Sequence, residues 1–130
     1  MKTRIRFLTL VLTLGLGLKP ALSQDDLFQK GKAIYETEGY CVDCHRANGK
    51  GLPGTFPAHD GNPFDVGPPG PVIATVLNGR KGNLGRMPSW KDKLNDDQIA
   101  AVVTYIRHAW SNKAPGVTPA LVAEIRKKAK

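Results

Sequence analysis

Five consecutive residues, Cys41-Val42-Asp43-Cys44-His45, constrain this chain more than any other stretch. The pattern is C-x-x-C-H. Two cysteines spaced this way can each take one of two vinyl groups on adjacent edges of a porphyrin as a thioether. The histidine next in line is then delivered beneath the ring metal. The five residues therefore read as the attachment site of one covalent haem c, with Cys41 and Cys44 as anchors and His45 as an axial iron ligand. Two other chemistries use C-x-x-C. A thiol–disulfide pair calls for a strand before it and a βαβ pattern around it, and the sequence shows no such strands. A structural zinc site needs four ligands, whereas the chain has two cysteines and its other histidines, His59 and His108, form no second pair.

The N-terminus reads as a secretory signal over residues 1–23. Lys2, Arg4 and Arg6 precede the apolar run Phe7 to Leu18, and Ala21-Leu22-Ser23 supplies a small-x-small site with cleavage before Gln24. The run is shorter than the roughly 18–20 residues that span a bilayer. An uncleaved N-terminal anchor is the alternative. Export places the chain in the periplasm or another extracytoplasmic space, where covalent haem c is expected.

Residues 24–130 have the length of one domain. A chain that short buries a modest core, which a large flat apolar cofactor would enlarge. The segment 1–23 holds four of the 19 basic residues and none of the 11 acids, leaving a balance of +4. That mild charge is not the profile of a nucleic-acid binder.

The elements expected are helical. Leu27, Phe28, Gly31, Ile34 and Tyr35 share one face of a helix. Gly31 lies mid-face, either as a tolerated glycine or as the site of a close helix crossing that admits no side chain. Gly39 ends this helix. From Gly49 to Gly70 the chain is rich in Gly and Pro and reads as irregular. So long a loop makes sense if it packs against a cofactor. Pro71 opens a short helix to Asn78, stopped by Gly79, and a second loop, Arg80 to Lys93, carries Met87-Pro88. Asn95 and Gln98 form a capping box for a helix running to about Trp110. Its stripe is Ile99, Val102, Val103, Ile106 and Trp110, with Asp97, Thr104 and His108 opposite. A short basic C-terminal helix occupies about 118–130, opened by Thr118-Pro119.

Met87 is the one methionine left once Met1 leaves with the signal. It stands in a Gly/Pro-bounded loop, not on a helix face where it would be core filler. It is the candidate sixth ligand, with His59 as its competitor. Charge is uneven: residues 80–94 hold Arg80, Lys81, Arg86, Lys91 and Lys93 against Asp92, while residues 25–43 hold five acids and two lysines. The first set suggests a basic rim.

Taken in order, Gly31-x-x-x-Tyr35, Cys41-x-x-Cys44-His45, Phe56-Pro57, Gly79-Arg80-Lys81-Gly82, Met87-Pro88 and Tyr105-Ile106-Arg107 give the chain a resemblance to class I c-type cytochromes. It is similar to the small bacterial periplasmic ones found with terminal oxidases and periplasmic dehydrogenases. The resemblance implies an all-α fold, with the first and last helices crossing at Gly31/Tyr35 against Val102/Tyr105. It implies that the Pro57 carbonyl accepts the other ring N–H of His45 and that Trp90 packs near a haem propionate. It further implies that the haem edge is exposed near the methionine loop, so that the basic rim and a redox partner would meet there. Two departures stand out. Tyr35 is six residues before Cys41, two more than the family pattern, which asks for a longer turn. His59 stands where the family usually has a leucine.

The leading functional reading is a monomeric single-electron carrier, not an enzyme, with His45 and Met87 on the iron. It exchanges electrons with an oxidase, reductase or dehydrogenase, some of which are membrane-bound. The alternatives are the electron-accepting subunit of a periplasmic dehydrogenase, a gas-binding or peroxidatic haem protein with an open sixth site, and a haem-free thiol oxidoreductase.

Overall fold

The computed structural model describes residues 23–129. The expected signal lies outside the described residues apart from Ser23. Helix α1 (Gln24–Ala33) starts at that serine. Ser23 Oγ accepts from Asp26 N–H at 3.1 Å while the Asp26 carboxylate accepts from Ser23 N–H at 3.2 Å, a capping box. Asp25 and Asp26 are first-turn acids, as expected, but the cap itself lies in a residue assigned to the signal.

Beyond Ala33 the helix widens into a π-turn, Ile34–Glu38. The Gly39 N–H reaches back to the Ile34 carbonyl at 2.7 Å, five residues away. The widened turn accounts for one of the two extra residues before Cys41. Tyr40 then reverses the chain in the left-handed region at φ 47°, and α2 (Cys41–His45) comes next as a single turn closed by Arg46 at φ 65°.

The Gly/Pro-rich stretch is irregular up to Asn62, but it contains α3 (Pro63–Val66), with Asn62 as its cap. Helix α4 (Pro69–Asn78) begins two residues earlier than Pro71, because Pro69 and Pro71 both sit in its first turn, where no N–H is needed. Gly79 stops it at φ 71°. The next loop contains a two-residue hairpin, β1 (Arg80–Lys81) against β2 (Arg86–Met87), with Arg80 opposite Met87. The fold remains all-α in character.

Helix α5 (Asp96–His108) has the expected cap: Asn95 Oδ1 accepts from Gln98 N–H at 2.9 Å and Gln98 Oε1 from Asn95 N–H at 3.0 Å. Every residue from Ile99 to Arg107 is buried. The one-stripe expectation is therefore too narrow. Thr104 is fully buried because the tail 109–118 wraps the second face of α5, and its hydroxyl accepts from Val117 N–H at 3.0 Å. His108 is exposed, as expected. Trp110 lies beyond the helix end at φ 56°. Helix α6 (Pro119–Lys128), capped by Thr118, packs on α4 and α5.

The frame is the crossing of α1 over α5. A Cβ at Gly31 would stand 2.0 Å from the Ala101 carbonyl oxygen and 2.8 Å from Tyr105 Cβ. Gly31 is thus required by close approach, with Ala101 and Tyr105 as the facing residues. On an open helix face, Gly→Ala would gain about 1 kcal/mol. At this crossing Gly31→Ala should instead destabilise by roughly 2–3 kcal/mol through overpacking against backbone. The urea midpoint of the haem-loaded protein should fall with an unchanged denaturant slope.

Candidate functional site

One helical turn places Cys41 and Cys44 on a common side of α2. Both thiols are free and half-buried. Burial pushes the Cys41 thiol up to about 11, whereas a catalytic thiol of a C-x-x-C redox pair has its pKa lowered. Among the described residues no group of three or more His, Cys, Asp or Glu side chains is placed to share a metal ion.

His45 is buried at the end of that turn. Its Nδ1–H donates to the Pro57 carbonyl at 2.9 Å, which leaves Nε2 as the nitrogen able to coordinate a metal. The loop that presents Pro57 folds back tightly: Gly51 N–H bonds the His45 carbonyl at 3.0 Å, and a Cβ at Gly51 would meet the Phe56 and Pro57 carbonyls. Burial, and after it His59, lowers the His45 pKa to about 4. The imidazole is therefore neutral at ordinary pH, the form that binds iron.

His59 lies beside His45, with ring centroids 4.0 Å apart and planes at 33°. Its other face stacks on Trp110 at 6.2 Å and 8°. Its Nδ1–H donates to the buried Asp65 carboxylate at 2.8 Å. Arg107, also buried, donates to the Asp65 and Gly67 carbonyls at 2.7 Å each and to Pro115 O at 2.9 Å. His59 is thus held beside His45 by protein groups, and it lines the same cavity as His45. Asp65 carries no sequence signal beyond being one of two acids in the Gly/Pro-rich loop, and Arg107 stands out only as the last residue of the Tyr105-Ile106-Arg107 run.

A cavity of about 1080 Å³ opens in front of α2, large against the roughly 300–1,000 Å³ of ordinary ligand sites. Cys41, Cys44, His45, Met87 and Trp90 all line it. Apolar walls come from Phe56, from Val72 and Val76 of α4, from Leu94, and from Val102 and Ile106 of α5. Met87 is half-buried on β2. Its backbone passes so close to Gly79 that a Cβ there would stand 2.4 Å from the Met87 carbonyl oxygen. Trp90 is buried, and Lys93 Nζ sits 5.0 Å from its ring. Two thiols, one neutral imidazole and one thioether around a broad apolar space are a donor set that fits haem c.

The basic segment divides. Arg80, Lys81 and Arg86 are exposed at the cavity mouth, joined by Lys50. Lys91 instead reaches the Ala129 carbonyl at 2.7 Å, and Lys93 lies on Trp90. Exposed Tyr40 and Phe64 stand beside the basic groups at the mouth.

Comparison with known proteins agrees with this geometry. The family profile described as cytochrome c oxidase, cbb3-type, subunit III matches residues 26–106. Cytochrome c-552 of Thermus thermophilus is 35% identical over 121 residues, covering 82% of this chain and 76% of that protein. The cytochrome c subunit of gluconate 2-dehydrogenase from Pantoea cypripedii is 36% identical over 117 residues, 82% of this chain and 26% of that one. The cytochrome c subunit of a quinone-dependent alcohol dehydrogenase from Gluconacetobacter polyoxogenes is 37% identical over 95 residues, 66% and 20%. The chain therefore spans about a quarter or less of the length of these dehydrogenase subunits.

Proposed function

The chain belongs to the cytochrome c family matched by the cbb3-type oxidase subunit III profile, and from that premise we propose that it is a His/Met-ligated electron carrier serving an extracytoplasmic redox chain. Family membership brings one covalently bound haem c and one-electron transfer. When bound, the haem supplies an iron that alternates between ferric and ferrous. The remaining roles fall to the protein. Cys41 and Cys44 would anchor the ring, and His45, held in one tautomer by the Pro57 carbonyl, would ligate the iron. Met87 would be the second ligand, and Trp90, which lines the same cavity, would pack near a propionate. The observation that carries this reading is that Cys41, Cys44, His45 and Met87 line one cavity. With His45 and Met87 both given to the iron, no site would remain there for a small substrate, which argues for carriage over turnover.

A thioether is a soft ligand that favours ferrous iron and raises the potential. Met87→Ala should keep the covalent haem, become partly high-spin and lower the reduction potential, read by optical spectra and a redox titration. A wild-type low-spin spectrum and potential in that variant would remove Met87 from the iron.

The reading of residues 1–23 as a signal supports export, with cleavage before Gln24. Among the described residues no helix is long and apolar enough to cross a membrane. Intact mass of the exported protein should equal residues 24–130 plus one haem. A mass that retains 1–23 would show an anchored form.

The partner is a redox protein, of the oxidase or dehydrogenase kind that the relatives' names carry. Arg80, Lys81, Arg86 and Lys50 around the mouth suit an acidic docking face, and their attraction fades as salt shortens the screening length to about 10 Å at 0.1 M. Electron-transfer rates with an acidic partner should fall as ionic strength rises. Replacing Arg80, Lys81 and Arg86 with Glu should slow transfer and flatten that dependence, while a profile already flat in the unaltered protein would place docking elsewhere.

A further inference from the structure

We propose that Arg126 of α6 is a positioning residue for Met87, acting through the segment C-terminal to the methionine, and so controls how readily the sulfur leaves the iron. The proposal rests on the assignment of Met87 as an axial ligand. Helix α6 lies beyond the matched residues 26–106. It is well seated, since Val122 is fully buried and Leu121 and Ile125 pack on the core.

From this helix the Arg126 guanidinium contacts the stretch between Met87 and α5 twice and the first residue of α5 once. Its Nε donates to the Asp96 carboxylate at 2.6 Å, its Nη2 to the Leu94 carbonyl at 2.8 Å, and its Nη1 to the Lys91 carbonyl. Lys91 returns a bond to the far end of α6, its Nζ donating to the Ala129 carbonyl at 2.7 Å. On its opposite side the same stretch is stitched to α4. Ser89 Oγ donates to the Leu77 carbonyl at 2.6 Å, and the Trp90 and Lys91 N–H groups donate to Val76 and Leu77 at 3.1 Å.

The downstream anchor of the Met87 hairpin is therefore clamped between two helices. The hairpin itself is only two residues long on each strand. Such a short ladder restrains little by itself, so the clamp carries the positioning. For the sulfur to depart, Met87 must swing outward with β2, which pulls on 89–94. A fixed guanidinium satisfying two main-chain carbonyls resists that pull more strongly than a neutral bond would. The alternative is a fastening that adds to overall stability and nothing more.

The two differ in one measurement on the ferric, haem-loaded protein. Imidazole competes with the thioether for iron, and its binding is tracked by loss of the sulfur-to-iron charge-transfer band. Arg126→Ala should bind imidazole about tenfold more tightly than wild type, Arg126→Lys should recover part of the difference, and Arg126→Gln gives the same reading if the alanine variant does not fold. Lys128→Ala, which removes an exposed pair with Glu124 on the same helix, should leave the affinity unchanged. A wild-type imidazole affinity in Arg126→Ala or Arg126→Gln, with only the unfolding midpoint lowered, would overturn the proposal, as would an equal rise in Lys128→Ala. Met87→Ala run alongside separates the two assignments. If it opens the sixth site while the Arg126 variants bind imidazole like wild type, the clamp alone is wrong; if it leaves the spectrum unchanged, the ligand assignment fails and the clamp with it.

Discussion

With no side chain at Gly31, the backbone of α1 lies directly against the Ala101 carbonyl of α5. Everything near the cofactor site is measured from that contact. It brings Tyr35 and Phe28 onto Tyr105, with ring centroids 5.2 and 5.1 Å away, and Tyr35 onto Trp110 at 5.7 Å. Burial raises the Tyr35 pKa well above its ordinary value, so the phenol remains a donor. It gives its proton to the Arg46 carbonyl at 2.9 Å, just after the C-x-x-C-H turn. Trp110 Nε1 likewise donates to the Ala47 carbonyl at 2.9 Å. Helix packing is thereby converted into a fixed position for α2.

Beside the imidazole of His45 the protein is polar yet satisfied. Each member of the His59, Asp65 and Arg107 group has partners, and Asn112 closes the array by bonding the His59 and Ile106 carbonyls at 2.9 and 2.8 Å. Buried polar groups of this kind repay their desolvation only when every member is paired, and then they favour one arrangement over its neighbours. The methionine side is built differently, from a short hairpin between two glycine-bearing turns. His45 is thus set in a cross-linked wall and Met87, its proposed counterpart, on a small flap whose far end is held by α4 and α6.

Much of this architecture is legible in the residues alone. The C-x-x-C-H run, the capping box at Asn95 and the stops at Gly39 and Gly79 are local signals, each decided by a few neighbouring side chains, while the crossing at Gly31 is one of two readings of that glycine and comes from the family resemblance. The Pro57 carbonyl, expected from a family resemblance, lies 2.9 Å from His45 Nδ1. Features set by tertiary contact are not legible in this way. The burial of Thr104 depends on where the tail 109–118 runs, and no periodicity within α5 carries that information. His59 stands out in the sequence, but its surroundings do not, because Asp65 and Arg107 are 42 residues apart and meet only in the fold. The basic segment 80–94 reads as one patch, and the fold divides it between the cavity mouth and α6.

The π-turn at Ile34–Glu38 bears on how chains of this kind can change length. The helix crossing fixes one point at Gly31 and the thioether-forming pair fixes another at Cys41. Part of the surplus between them is held in a widened helical turn instead of a protruding loop, and Ile34 and Tyr35 stay fully buried within it. An insertion here is absorbed by re-pairing a few main-chain bonds, with neither fixed point displaced. The interval between the crossing glycine and the first cysteine is consequently an elastic quantity. A search template that demands one value for it would discard sequences that keep the same architecture.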